Sequence, residues 1–126
     1  MKVTKIGFVG IPVTDMKRAR AFYEGVLGLE VAEEMAEGKW IEYSLGDDTL
    51  AIANLETGWL PSDQGTGVAL EVEDFDAAIN KLRVAVIRFA WEPFESPICR
   101  MAIVQDPDGN KIIIHKVKTA HEKGGG

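Results

Sequence analysis

The chain has 126 residues, one domain's worth, and a chain of this size buries about 65–70% of its surface on folding. Hydrophobic residues at 46% and charged residues at 27% mark a globular protein and exclude disordered or collagen-like structure. The balance of 14 Lys and Arg against 20 Asp and Glu leaves a net charge of −6 with no basic run, which argues against a nucleic-acid partner; a lone cysteine, Cys99, excludes an internal disulfide and a thiolate zinc site.

Met1 to Lys5 contain no apolar stretch of signal-peptide length, and no run of 18 apolar residues follows, so neither a leader nor a membrane span is expected and the cytoplasm is the expected compartment. A first strand is predicted over 6–13, with Val9, Ile11 and Val13 on one apolar face. Thr14-Asp15 then offers a side-chain acceptor for a helix start, and Met16, Ala19, Phe22, Tyr23 and Val26 fall on one helical stripe. Three strand-like runs follow at about 29–35, 39–45 and 48–54, the last two joined by the turn signal Gly46-Asp47-Asp48. Leu55 to Thr66, with Gly58, Pro61 and Gly65, reads as a linker.

The same order then returns. Val68, Leu70 and Val72 repeat the first strand's phase, Glu73-Asp74 repeats the helix start, and Phe75, Ala78, Ile79 and Leu82 repeat the stripe. The spacing between Asp15 and Asp74 equals that between Val9 and Val68. Strands are predicted at 86–91, 98–105 and 111–117, the last pair closed by Asp106-Pro107-Asp108-Gly109-Asn110. The end of the second helix is ill-marked, because Arg83-Val84-Ala85-Val86 carries no glycine to stop it. The reading is thus an α+β fold: a single domain over 1–126, with a βαβββ module at 5–54, a linker at 55–66, a second module at 67–117 and a flexible tail at 118–126.

Three stretches together carry a family likeness. Ile11-Pro12-Val13-Thr14-Asp15-Met16, with Ala21-Phe22-Tyr23 and Leu27-Gly28-Leu29, resembles the opening strand and helix of the vicinal oxygen chelate superfamily. This superfamily includes glyoxalase I, extradiol dioxygenases, and fosfomycin and bleomycin resistance proteins. Val68 to Asp74 resembles the start of its second module, and Asp106 to Ile112 its last hairpin. The resemblance covers residues 5–117 and implies two modules forming a concave mixed sheet, helices outside and the site in the hollow. Phe22, Tyr23 and Leu27 read as core and the last hairpin as a closure, so these motifs identify a fold and not a chemistry.

The resemblance also implies where four metal ligands would stand. In this chain those positions fall on Phe8, Ala51, Gly67 and Ile113, none of which carries a donor. Metal-dependent chemistry is therefore poorly supported, no metal or other cofactor is expected, and the likeness turns towards the drug-binding members. Residues expected to line the hollow are Phe8, Gly10, Trp40, Ala51, Gly67, Ala69, Glu71, Phe89, Trp91, Arg100, Ile113 and His115. Small residues there leave room, aromatic residues offer stacking faces, and Arg100 is a candidate anion anchor. The aromatic residues read equally as core or as contacts between copies, and His115 as an ordinary hydrogen-bonded histidine. Catalytic residues are not identified, and three functional readings stay open. One is a small-molecule binding protein, paired as a homodimer, whose acidic balance favours a cationic ligand. Another is a metal-free lyase or isomerase using Glu71, His115 or Cys99. The third is an interaction module whose hollow is filled.

Overall fold

The computed structural model describes residues 1–56 and 58–123, and the glycines at 124–126, part of the expected flexible tail, lie outside them. The chain divides into two compact units, Met1–Ser62 and Asp63–Gly126, with the boundary inside the segment read as a linker. Each unit carries one βαβββ module and one four-stranded mixed sheet.

In the first unit the strands are β1 (Val9–Pro12), β2 (Glu30–Met35), β3 (Trp40–Leu45) and β4 (Asp48–Ala53), in the order β1-β4-β3-β2. β1 runs parallel to β4 and the other pairs are antiparallel. The helix between β1 and β2 starts as α1 (Met16–Arg20) and continues as a π-helical turn over Ala21–Val26. Asp15 caps it, its carboxylate accepting the Arg18 N–H at 3.0 Å. Cross-strand partners share a face of a sheet, so register sorts the side chains. The rows Val9–Leu50–Tyr43–Val31 and Ile11–Ile52–Ile41–Glu34 lie on the helix side. There Ile11, Ile41, Ile52, Leu50 and Tyr43 are buried with Ala19, Phe22 and Tyr23 of the helix. Each such isoleucine withdrawn from water contributes about 1.5–3 kcal/mol.

An ion network ties helix to sheet. Arg20 pairs with Glu24 at 2.6 Å and with Glu34 at 2.7 Å, and the Tyr43 hydroxyl donates to Glu24 at 2.8 Å. Partial burial pushes the Glu24 carboxyl up, but the hydrogen bonds from Arg20 and Tyr43 outweigh it and hold the group below the usual carboxylate range. Burial and the neighbouring Glu24 push the Tyr43 hydroxyl above its ordinary value.

The second unit repeats the plan with β5 (Val68–Glu71), β6 (Phe89–Glu95), β7 (Cys99–Gln105) and β8 (Lys111–Val117) in the order β5-β8-β7-β6. Its helix, α2 (Phe75–Val84), is capped by Asp74, which accepts the Ala77 N–H at 3.0 Å, as Asp15 does in the first unit. The closing hairpin is built around Asp106, buried with Asn110. One carboxylate oxygen of Asp106 accepts the N–H groups of Asp108 and Asn110, and the other accepts the Asn110 side-chain amide, all at 2.9 Å. Gly109, at φ +90°, makes the turn that only glycine adopts freely.

Two elements depart from the sequence reading. α2 runs to Val84 and stops in a Schellman turn, in which Val86 N–H bonds to the Arg83 carbonyl and Ile87 N–H to the Leu82 carbonyl. The left-handed position that usually belongs to glycine is held by Val86, at φ +57°. The turn consumes residues 85–88, so the strand expected at 86–91 starts at Phe89 and runs to Glu95. At the chain's end, α3 (Ala120–Lys123) is a helical turn started by a capping box. Its Thr119 N–H donates to Glu122, and the Glu122 N–H donates to the Thr119 hydroxyl. Among the described residues no helix is long and apolar enough to cross a membrane.

Candidate functional site

Each sheet keeps one face away from its helix, and the candidate residues sort onto these open faces by strand register. In the first unit the open rows are Gly10–Ala51–Glu42–Glu33 and Pro12–Ala53–Trp40–Met35. Gly10, Trp40 and Ala51 therefore share one face. Ala51 is fully buried, which makes it floor rather than contact surface. A Cβ added to Gly10 would lie 2.8 Å from the tip of the Trp59 ring and 3.3 Å from the Phe8 ring, so both aromatic side chains lie over this glycine. Phe8 meets Trp40 edge to face, with ring centres 5.5 Å apart. The indole N–H of Trp40 donates to Glu42 at 3.0 Å, which fixes the ring and sets a carboxylate beside it. The result is a run of contacts on one face: Trp59 and Phe8 over Gly10, Trp40 against Phe8, and Glu42 at the Trp40 indole.

In the second unit the open rows are Ala69–Ile113–Ile103–Trp91 and Glu71–His115–Met101–Phe94. Ala69, Glu71, Trp91, Ile113 and His115 share this face, and Gly67 sits against Ile113, 3.5 Å from its side chain to an added Cβ. Trp91 and Phe94 pack together with ring centres 5.6 Å apart. His115 Nδ1 lies 2.5 Å from one Glu71 carboxylate oxygen, and the Val117 N–H donates to the other at 2.8 Å. Partial burial pushes the Glu71 carboxyl up. The bonds from His115 and Val117 more than offset that and hold it below the usual carboxylate range.

Two expected lining residues face the other way. Phe89 pairs with Val104 on the helix side and carries the Arg83 guanidinium 4.0 Å above its ring. Two residues apart in a regular strand, Phe89 and Trp91 would share a face; a bulge between them reverses the phase. Arg100 also faces α2, paired with Asp76 at 2.6 Å and placed over the Phe75 ring at 4.7 Å. Its charge serves the helix-to-sheet contact, so it is no anion anchor on the open face. Cys99 is buried, and its sulfur lies 3.3 Å from the Ser96 hydroxyl. Among the described residues the thiol bonds to Ser96 and no hydrogen bond links it to His115, so the two do not form a nucleophile–base pair.

Sequence reasoning missed Glu42, Trp59, Met101 and Phe94. Glu42 was within reach, because it stands two residues from Trp40 in a strand. Phe94 was not, since a second bulge, between Trp91 and Phe94, puts residues three apart on the same face.

The four positions that the resemblance assigns to metal ligands do not fit a metal: Phe8, Ala51, Gly67 and Ile113 offer no side-chain oxygen, sulfur or imidazole donor. Among the described residues no group of three or more His, Cys, Asp or Glu could hold a metal ion.

Comparison with known proteins bears on this geometry. The family model of the Glyoxalase/Bleomycin resistance protein/Dioxygenase superfamily matches residues 5–114. No curated protein matches the chain. Among solved structures, TnmS3, an antibiotic binding protein from Streptomyces sp. CB03234, is 24% identical with a TM-score of 0.78, over 94% of this chain and 99% of that one. A glyoxalase/dioxygenase from Nostoc punctiforme is also 24% identical with a TM-score of 0.78, over 91% and 92%. A glyoxalase/bleomycin resistance protein from Streptomyces sp. CB03234 is 25% identical with a TM-score of 0.70, over 85% and 96%.

Proposed function

The chain belongs to the glyoxalase/bleomycin resistance protein/dioxygenase superfamily, and from that premise we propose that it is a metal-independent small-molecule binding protein that holds an organic cation. The observation that carries this reading is the cluster on the open face of the first unit. Trp59 and Phe8 lie over Gly10, Trp40 meets Phe8 edge to face, and Glu42 is held at the Trp40 indole. Aromatic faces attract a cation through their quadrupole, by about 0.5–2 kcal/mol per ring, and a nearby carboxylate adds to it. The net charge of −6 draws cations to the surface. A relative of similar fold, TnmS3, is described as an antibiotic binding protein, which supports a drug-like ligand here.

The chain acts as a homodimer in the cytoplasm in this proposal. β2 and β6 are sheet edges, and uncovered edges invite pairing. Light scattering at micromolar concentration checks this; a mass near the 13.8 kDa of one chain refutes it.

The binding test uses N-methylquinolinium and its neutral isostere 2-methylnaphthalene, followed by tryptophan fluorescence. The cation should bind more tightly than the hydrocarbon, and Glu42→Gln should erase most of that preference. Equal binding of the two by the wild-type protein would refute a cation site.

A further inference from the structure

A second arrangement, on the open face of the second unit, is built for a different ligand group. Both carboxylate oxygens of Glu71 are occupied, one by His115 Nδ1 and one by the Val117 N–H. An ionised carboxylate only accepts hydrogen bonds, so the shared hydrogen belongs to the imidazole and sits on Nδ1. In the neutral ring, Nε2 then carries a lone pair, and among the described residues it has no partner. The His115 side chain is 30% exposed, so that lone pair is within reach of a ligand.

Register places the rest. His115 lies in one cross-strand row with Met101 and Phe94, and the adjacent row on the same face holds Ile113, Ile103 and Trp91. Strands stand about 4.8 Å apart, so the Phe94 strand is about 10 Å from the His115 strand. The floor between them is Met101, Ile103 and Ile113, all half-buried, and the far wall is the Trp91–Phe94 pair, both exposed. This is an apolar surface, aromatic at one end, with the oriented imidazole acceptor of His115 beside the Glu71 carboxylate at the other.

We propose that this face binds an aromatic compound through its hydroxyl group, the hydroxyl donating to His115 Nε2 and the ring system lying over Met101, Ile103 and Ile113 towards Trp91 and Phe94. Glu71 is a positioning residue: it acts through the imidazole by fixing which nitrogen holds the proton. A carbonyl or ether in place of the hydroxyl has no hydrogen to offer and is not recognised. The inference rests on the reading of the chain as a small-molecule binder and names the ligand chemistry of its second open face.

The probes are 2-naphthol and its methyl ether, 2-methoxynaphthalene, which keeps the ring and loses the donor. Titrations run at a pH where the nitrogen spectra show the His115 ring to be neutral. One neutral hydrogen bond is worth about a fivefold to tenfold preference for the naphthol over the ether. His115→Phe should abolish the preference while still binding both probes. Glu71→Gln should reduce the preference, and it has a separate readout. The chain has only 2 histidines, so long-range proton–nitrogen NMR resolves the His115 tautomer. In the wild type the Nδ1–H form should dominate and naphthol should move the Nε2 resonance; in Glu71→Gln the tautomers should mix. A purely structural role for Glu71 would change the unfolding temperature and leave the tautomer alone.

Equal binding of naphthol and ether, or a dominant Nε2–H tautomer in the wild type, overturns the hydroxyl assignment while leaving a small-molecule face in place. Binding of neither probe overturns both for this unit, and the quinolinium titration on Glu42 then decides the functional reading by itself.

Discussion

Gly10→Ala separates an aromatic cluster that forms a site from one that merely packs. The new methyl carbon would stand 2.8 Å from the Trp59 ring tip and 3.3 Å from two further ring carbons, one on Trp59 and one on Phe8. Carbon atoms rest at about 3.5–4.0 Å, so the Trp59 ring must retreat by about 1 Å. It has somewhere to go, because Trp59 is 43% exposed. Gly10 does not occupy the left-handed region, so alanine fits its backbone. Replacing glycine by alanine at such a site stabilises by about 0.4–1 kcal/mol through the unfolded chain, which offsets much of the lost ring contact. The expected result is a stability within about 1 kcal/mol of wild type and an affinity for N-methylquinolinium lowered about tenfold, as one ring face is lost. Fluorescence is read in a Trp91→Phe background, which leaves Trp40 and Trp59 as the reporters, and stability is read by urea unfolding. Unchanged emission with unchanged affinity would show that Trp59 is no part of the site. A stability loss above about 3 kcal/mol would show instead that the cluster is core, at the cost expected for overpacking.

Val86→Gly should stabilise the protein. A left-handed non-glycine residue costs about 1–2 kcal/mol, glycine's extra chain entropy returns about 0.5–1 of that, and Val86 at 87% exposure has little buried contact to lose. The net gain of about 0.5–1 kcal/mol raises Tm by about 2–4 °C in a calorimetric scan, and an unchanged or lower Tm refutes the strain. Glu24→Gln should cost about 1–2 kcal/mol at neutral pH by weakening the Arg20 and Tyr43 contacts. Because the folded Glu24 carboxyl is held low, its contribution is complete above the ordinary carboxylate value of about 4.3 and fades as pH falls through the lower folded value. Urea midpoints of wild type and Glu24→Gln should therefore converge in acid, and a gap that stays constant down to about pH 2 refutes the assignment.

The sequence by itself determined the plan of the fold. Alternating apolar residues at Val9, Ile11 and Val13 and again at Val68 and Leu70 can bury only one face of a strand, and an aspartate at each helix start supplies the same cap, so the duplicated module follows from local periodicity. It also determined that Phe8, Ala51, Gly67 and Ile113 offer no metal donors, because that is a matter of residue type. What tertiary structure alone decided is which side chains share a face. Two bulges in β6 carry Phe89 to the helix side and bring Trp91 and Phe94 together, and no alternation rule reveals a bulge, since the extra residue is set by the neighbouring strand's hydrogen bonds. Arg100 was claimed by Asp76 and Phe75, which are 24 and 25 residues away in sequence. His115 met Glu71 across a parallel pair that places residues 44 apart side by side. Trp59, outside every strand and helix, came to lie over Gly10. Periodicity is a property of neighbours along the chain; partners brought together from distant segments are chosen by packing, and the candidate sites are made of such partners.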